Sequence, residues 1–495
     1  MTDQIIPIAP APGSRQNLTA ATHRLGKWVG ALLLLLVAVG AILRYSGVRS
    51  ELWFDEIFSI RQVEPMTNAW QVLWSRHHDN KHYLIWLWLW LWGPGRAEWI
   101  YRLPALGAGI AVLPLLFALV RRELSTRAAW LALLLAVYCY PLIHYSSEAR
   151  GYSLAVLLAV CAYLLAPRTD AERPRGSPLR AVVRPLLFGL CVLLGFLAHL
   201  TFVYVYAGLL AWSAVEFIRR PDWRLALYHA PVIVMLALIY VFDVSKMEYG
   251  GGPPTPVFDV IRWTISLTFG VPLANGWTIA MGTVAVGLMV LGWSTMVRRR
   301  GDVGVGVFFI DALLLVPLVL TLRRHNPYLA VRYFLVCAPF ALLLVAGGMD
   351  RIWSHWIGQI LTIALITMVA FSGVSRAWQL YLLGRGEVRG CLLHIAASGG
   401  TSATIRYESE RPTMDRANVE YYAQRLGLGD RVVEVDDAAS DSGQVAEWWI
   451  LDLDDPMERG PQYITRRGHL YRLDSIYPGD GVSGLTWDLY HWVTP

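Results

Sequence analysis

Long apolar runs separated by short basic stretches set the pattern of this chain. A membrane span needs about 20 mostly apolar residues to cross ~30 Å of hydrocarbon. Candidate runs centre on residues 28–45, 99–120, 128–144, 152–166, 184–199, 201–218, 225–242, 277–297, 304–322, 331–349 and 356–374. They predict a mainly α, polytopic membrane bundle of about 11 transmembrane helices. One further run, Tyr83–Trp92 (YLIWLWLWLW), is short and stops at Gly93-Pro94-Gly95.

Basic loops decide how to count that run, because short cytoplasmic loops collect Lys and Arg. If Tyr83–Trp92 does not span, four basic loops share the cytoplasmic side. They hold Arg121, Arg122 and Arg127; Arg168, Arg173, Arg175 and Arg180; Arg219, Arg220 and Arg224; and Arg298, Arg299 and Arg300. If it spans, all four flip outside. The run is therefore read as an aromatic helix at the outer interface, where Trp favours the headgroup level. A buried re-entrant helix is the alternative. Residues 1–27 are then a cytoplasmic tail, followed by a retained signal anchor, since Trp28–Leu43 is long for a signal peptide and lacks a small-x-small cleavage site. The outer segments are 46–98, 145–151, 243–276, 323–330 and 375–495.

Composition agrees with this pattern. Hydrophobic residues make up 55% of the 495 residues and charged ones 16%, well below the quarter usual in soluble proteins. That excludes a disordered chain and argues against an ordinary soluble enzyme. The net charge of +6 averages two unlike parts. Residues 1–384 hold 32 Lys and Arg against 19 Asp and Glu, a net +13, whereas residues 385–495 hold 11 against 18, a net −7. The +13 is largely cytoplasmic-loop arginine that orients the bundle, so it does not imply nucleic acid. The acidic tail alternates strand-like runs (Val432–Val435, Trp448–Leu453) with a helical stretch near Ala417–Leu426, and predicts a small extracytoplasmic α/β domain. The boundaries expected are thus 1–27, a transmembrane domain 28–374 with outer loop 46–98, and a C-terminal domain 375–495. The cysteines (Cys139, Cys161, Cys191, Cys337, Cys391) show no metal or disulfide spacing. No phosphate-loop or dinucleotide motif is present.

Charge inside the spans marks transport paths, and here it is sparse. Asp311 is the clearest instance; a proton or ion site and a locally satisfied aspartate both fit it. Polar residues gather instead in the outer segments. Asp55 and Glu56 are adjacent just after the first span, and could supply a general base or simply be solvated. His77-His78-Asp79-Asn80-Lys81-His82 opens the Trp-rich helix and could grip an anionic headgroup or be a wet helix start. Lys81 is one of only three lysines, with Lys27 and Lys246, and a compact ammonium suits a phosphate. His144 to Tyr152 brings Glu148, Arg150 and Tyr152 between two spans. Arg323, Arg324, Arg332 and Tyr333 run against the topological trend, which points to phosphate held at the outer surface or to lipid-headgroup contact. Carboxylates beside cations on one membrane face fit group transfer from a lipid phosphate.

In order and spacing these motifs resemble the bacterial GT-C glycosyltransferases of the protein O-mannosyltransferase and aminoarabinose-transferase type (family 39 and relatives). The matching segments are Trp53-Phe54-Asp55-Glu56, the HxDNxH-like His77–His82, Glu98-Trp99-Ile100-Tyr101-Arg102-Leu103-Pro104, Tyr145-Ser146-Ser147-Glu148-Ala149-Arg150-Gly151-Tyr152, Ala198-His199 and Arg332-Tyr333. The resemblance covers about residues 28–350 and leaves the tail out.

It implies a polyprenyl-phosphate-linked sugar as donor and an inverting transfer on the extracytoplasmic face of a bacterial inner membrane, to an acceptor hydroxyl on a glycan, lipid or protein. By position Asp55 is the expected base, with Glu56 and Glu148 as further acids. His77, Asp79, Asn80, Lys81, His82, Arg102, Arg150, Tyr152, Arg323, Arg324, Arg332 and Tyr333 are expected around the substrate. No cofactor is expected; a divalent metal is left open, although the 145–151 loop lacks the DxD of the metal-dependent branch. The competing function is a transporter or flippase for a lipid-linked substrate. It needs polar residues lining a midplane path, of which the spans show few, and the lack of an internal repeat weakens an inverted-repeat transporter.

Overall fold

The computed structural model describes residues 12–167, 178–248, 255–324, 329–398, 405–409, 412–429, 432–434, 446–453, 458–484 and 486–493. Among them, eight helices are long and apolar enough to cross a membrane, and a bent pair, Thr126–Tyr138 with Tyr140–Ser147, makes a ninth span. Two shorter apolar helices, Tyr152–Leu165 and Val182–Ala198, account for the other two expected runs. The protein is thus a mainly α, multi-pass membrane bundle. The outer helices carry large apolar side chains on their open faces, among them Leu34, Leu35, Val234, Val241, Val286 and Phe371. In water this would be untenable; in lipid it costs nothing. Inside, Asn275–Arg300 and Ala338–Ile352 cross in backbone contact. A Cβ on Gly292 would lie 1.9 Å from the Leu344 carbonyl oxygen, and one on Gly348 would lie 2.2 Å from that of Leu288. Small residues at such crossings let membrane helices associate without a hydrophobic drive.

The 62° bend in the third span has an identifiable cause. Pro141 lacks an N–H to donate to the Val137 carbonyl, and its ring displaces the preceding turn. Arg44, wholly buried in the first span, takes up the freed Val137 carbonyl together with two neighbouring ones. Its Nη1 donates to Gly40 O at 3.1 Å and Val137 O at 3.4 Å, and its Nη2 to Ala136 O at 3.0 Å. Arg44 is therefore a second charge within a span, beyond Asp311, and a structural one.

Above the bundle the first outer loop folds into three short helices, Phe54–Val63, Ala69–Trp74 and Tyr83–Trp92. The Trp-rich helix, expected at the outer interface, is one of these three loop helices. Tyr83, Ile85, Trp86 and Leu89 are buried against the two other loop helices and the tail, whereas Leu91 and Trp92 are exposed. The tail contributes helices Val388–Ser398 and Pro412–Arg425 and a six-stranded mixed sheet. Its strands are β1 (Ile405–Ser409), β2 (Val432–Glu434), β3 (Trp448–Leu453), β4 (Tyr463–Arg466), β5 (His469–Tyr477) and β6 (Thr486–Trp492), in the order β2-β1-β3-β6-β5-β4. β1 is parallel to β2 and β3; the other pairs are antiparallel.

Loop and tail share one hydrophobic core, in which Leu52, Ile57, Trp86 and Tyr101 pack with Cys391, Tyr422, Trp448 and Leu489. Polar contacts reinforce it. The Leu52 amide donates to Tyr422 Oη at 2.6 Å, and Arg61 pairs with Glu420 at 3.0 Å. At the seam the Arg389 amide donates to Glu51 Oε1 at 3.1 Å. Burial pushes the Glu51 carboxyl up to about 7, against the opposing pull of the Arg389 amide and guanidinium.

Glu51 therefore holds its proton more tightly folded than unfolded. Its contribution to stability is present at low pH and is lost as pH rises through about 7. Thermal unfolding of detergent-solubilised protein is expected to show a midpoint that falls between about pH 5 and about pH 8. Glu51→Gln should flatten that slope, and an unchanged slope in the variant would reject the assignment.

Candidate active site

The adjacent carboxylates Asp55 and Glu56 sit in the first turn of Phe54–Val63. Successive helical residues point about 100° apart, so the two face different surroundings. Glu56 turns inward and is fully buried against Arg102. Arg102 Nε donates to Glu56 Oε1 at 2.8 Å and Nη2 to Oε2 at 2.6 Å. Its remaining donors reach the carbonyls of Gly47, Val48, Ser50 and Glu51 at 2.6–3.1 Å. Glu56 also accepts the Ala149 amide at 2.6 Å and the Trp53 amide at 3.2 Å. Both charges are thus fully satisfied, as burial demands. The knot joins the first loop, the second span and the 145–151 loop. Glu56 and Arg102, expected around the substrate, are both fully buried within this knot.

Asp55 faces the other way. Its Oδ2 lies 3.3 Å from Arg150 Nη1 and 3.4 Å from Arg332 Nη1, and its side chain remains 16% exposed. Arg150 also donates to Asn80 Oδ1, and to Tyr152 Oη at 3.1 Å. Arg332 lies over the rings of Trp53 and Tyr333, at 5.5 and 5.8 Å. His82 is buried with its Nδ1 3.2 Å from Ala198 O and 3.3 Å from the Gly151 amide, and its ring meets Tyr152 at 5.2 Å and His199 at 4.9 Å. Burial and the nearby Arg150 charge push the His82 imidazole well below its usual range, so it is neutral. Gly151 is needed for this approach: a Cβ there would lie 1.8 Å from Ala198 O.

Four buried polar atoms of this group have no hydrogen-bond partner, Trp53 Nε1, His82 Nε2, Arg150 Nε and Arg332 Nε, while Asp55 Oδ2 has only its two guanidinium ion pairs. Orphaned polar atoms are rare in native interiors and call for a ligand or a role. Their convergence on one spot, with Asp55 partly open, marks the candidate site. Asp55, Asn80, His82, Arg150, Tyr152, Arg332 and Tyr333 are brought together there, with Trp53 and His199 added.

The other expected residues lie elsewhere. Lys81 is buried, its Nζ donating to Leu73 O at 2.5 Å, Arg76 O at 2.8 Å and Asp243 Oδ2 at 2.9 Å. Asp243 also takes Tyr83 Oη and His77 Nδ1. This cluster ties the first loop to the end of the helix Arg224–Phe242, and the ammonium has no direction left for a phosphate. His77 belongs to the same tie, and the Asp79 amide pairs with Glu248 O at 3.0 Å. Glu148 is buried with its Oε1 3.1 Å from His144 Nε2 and 3.9 Å from Arg385 Nε. Burial alone would raise its carboxyl; the hydrogen bond and charge of His144 and the charge of Arg385 outweigh it and hold it at about 2. Tail residues complete that network: Ser483 Oγ lies 2.8 Å from His144 Nε2, and Tyr140 Oη donates to Asp480 Oδ2 at 2.9 Å. The side chains of Arg323 and Arg324 lie outside the described residues. Among those described, no group of three or more His, Cys, Asp or Glu could hold a metal ion.

Sequence reading missed Asp243 and Arg385 as partners. Asp243 was visible as an acid at a span end, and Arg385 as the lone charge in Gly384-Arg385-Gly386. A cavity of about 640 Å³ opens between Val257–Phe269, Asn275–Arg300 and the segment 331–345. It is lined mostly by apolar side chains, including Val331, Phe334 and Leu335 beside Arg332. Asp311 is not among its lining residues.

No protein-family profile and no curated protein matches the sequence. Among solved structures, the chain is similar to ArnT from Cupriavidus metallidurans in the apo state, at 14% identity, covering 86% of this chain and 94% of that one, with a TM-score of 0.52. Against ArnT from the same organism bound to undecaprenyl phosphate the identity is 14%, the coverage 86% and 93%, and the TM-score 0.50. At this identity the likeness is one of fold. The membrane helix bundle with a C-terminal sheet domain seen here has the same overall fold as these structures.

The two carboxylates should respond differently to removal. Arg102→Met leaves Glu56 buried without a counter-charge, and such a break costs about 3–5 kcal/mol. The variant is expected to lose its thermal transition or fail to accumulate in membranes. Asp55→Asn should keep the wild-type thermal midpoint within a few degrees. A stable Arg102→Met protein would contradict the structural reading of Glu56.

Proposed function

We propose that this protein is a membrane glycosyltransferase that moves a sugar from a polyprenyl-phosphate donor to an acceptor hydroxyl on the extracytoplasmic face, with inversion. One observation carries the reading: a partly open carboxylate, Asp55, faces two guanidiniums at 3.3 and 3.4 Å amid polar atoms that have no partner within the protein. The placement of Arg332 one residue from the wall of an apolar cavity supports it further. A phosphate at the guanidiniums would leave its isoprenoid chain at the mouth of that cavity. The undecaprenyl phosphate bound to ArnT is a ligand of this chemistry. The basic loops support an outer location for the site and tail.

The chemistry follows from the charges. With the site empty of phosphate, Arg150 and Arg332 are ion-paired with Asp55. Donor phosphate competes for the same guanidiniums, so donor binding frees the carboxylate. Asp55 then takes the proton of the acceptor hydroxyl. The acceptor oxygen attacks the anomeric carbon from the side opposite the phosphate. The bond from that carbon to the phosphate oxygen breaks, and its electron pair leaves with the polyprenyl phosphate, whose charge Arg150 and Arg332 stabilise. In this scheme Lys81 and Glu148 position the loops and do not touch the donor. The tail covers the loop and contributes to the acceptor side.

Purified protein should release polyprenyl phosphate and a glycosylated product from some member of a panel of undecaprenyl-phosphate monosaccharides. Asp55→Asn is expected to lower that rate by about 10²–10⁴-fold, the usual worth of a general base. Arg332→Gln should weaken binding of undecaprenyl phosphate about tenfold or more, as for loss of a charge-assisted contact. Wild-type turnover in Asp55→Asn would sink the mechanism.

A further inference from the structure

His199 stands in the turn between the helices Pro178–Ala198 and Val203–Arg219. Its Nδ1 accepts the Thr201 amide at 3.1 Å and lies 2.7 Å from Thr201 Oγ1. A backbone N–H can only donate, so Nδ1 holds a lone pair. The ring is therefore the neutral tautomer with its proton on Nε2. That N–H has no acceptor among the described residues, although the ring is only partly exposed. The ring packs on Tyr152 at 4.6 Å and His82 at 4.9 Å, and Tyr333 lies beyond at 6.3 Å. His82 adds a second neutral imidazole whose Nε2 is buried without a partner. Both histidines adjoin the guanidiniums of Arg150 and Arg332.

The site thus divides by chemistry. Two fixed positive charges suit a phosphate, which needs no discrimination among hydroxyl positions. Neutral nitrogen donors and acceptors set in an aromatic wall suit an uncharged polyhydroxyl ring, where a few placed polar groups among apolar faces fix orientation. A site with a committed donor also rejects ligands that leave it unpaired. We propose that His199 reads the sugar of the lipid-linked donor, its Nε2–H donating to a sugar oxygen, with His82 and Tyr152 as the wall behind it. This rests on the glycosyltransferase reading above.

Two substitutions separate this role from the capping of the turn. His199→Asn keeps an oxygen where Nδ1 was, so the Thr201 amide stays capped, but removes the outer donor. His199→Gln reaches as far as Nε2 with an amide N–H, but gives up the cap. Binding of undecaprenyl phosphate and of undecaprenyl-phosphate-linked mannose, glucose, galactose and 4-amino-4-deoxyarabinose would be measured on the full-length protein in detergent. His199→Asn is expected to bind undecaprenyl phosphate as the wild type does, while losing about tenfold or more in affinity for the best glycosylated donor, the worth of one hydrogen bond. His199→Gln should recover part of that loss. Equal weakening of both ligands, or of neither, in His199→Asn overturns the proposal. A wild-type protein that binds undecaprenyl phosphate but prefers no glycosylated donor also overturns it, leaving the phosphate site standing. A wild-type protein that binds none of the five overturns the glycosyltransferase reading with it.

Discussion

The buried pair of Glu56 and Arg102 is the constraint on which the outer face of this molecule depends. Two ions withdrawn from water are tolerable only if every donor and acceptor they carry is met. Here the guanidinium is spent on one carboxylate and four carbonyls, and the carboxylate on one guanidinium and two amides. Those groups come from the first loop, the second span and the 145–151 loop, so none of the three can shift alone. With Glu56 fixed inward, the helical step leaves Asp55 one direction, toward Arg150 and Arg332. The direction of Asp55 is set by the buried carboxylate beside it.

A second buried network repeats the arrangement toward the tail. Arg385 Nη1 donates to Gly47 O at 2.8 Å, the same carbonyl that Arg102 uses, and its Nη2 donates to Ser147 Oγ at 2.9 Å. Glu148, His144, Ser483 and Asp480 extend it into the C-terminal domain. The polar residues of the outer loops therefore fall into two kinds. Most are enclosed in these two networks, and a few, around Asp55, gather where one carboxylate stays partly exposed.

The fold was readable because span length and loop charge are coarse physical quantities that a linear sequence carries directly. All eleven apolar runs are helices, and the strand-like runs expected in the tail coincide, over the described residues, with β2 (Val432–Glu434) and β3 (Trp448–Leu453). The site was readable as a set of segments but not as a division of labour. Asp55 and Glu56 are indistinguishable as letters; only the helix start at Phe54 separates them. Lys81 stood out by rarity, yet its partner Asp243 lies 162 residues away, and no local pattern announces that pairing. Arg44 escaped notice because its partners are backbone carbonyls, one of them left unpaired by Pro141, which have no signature in side-chain chemistry.

The core shared by loop and tail also orders events in time. The Leu52 amide meets Tyr422 across 370 residues of chain, and Trp86 shares its cluster with Trp448 and Leu489. During synthesis the first loop emerges early and waits, its apolar face uncovered, while every later span is threaded into the bilayer. The layer can close only when the last strand is made, since β6 sits at the centre of the sheet between β3 and β5. A nascent chain that stalls or is truncated before that point leaves this face open, a state suited to recognition by membrane quality control. Closure of the layer over the first loop therefore follows the synthesis of β6.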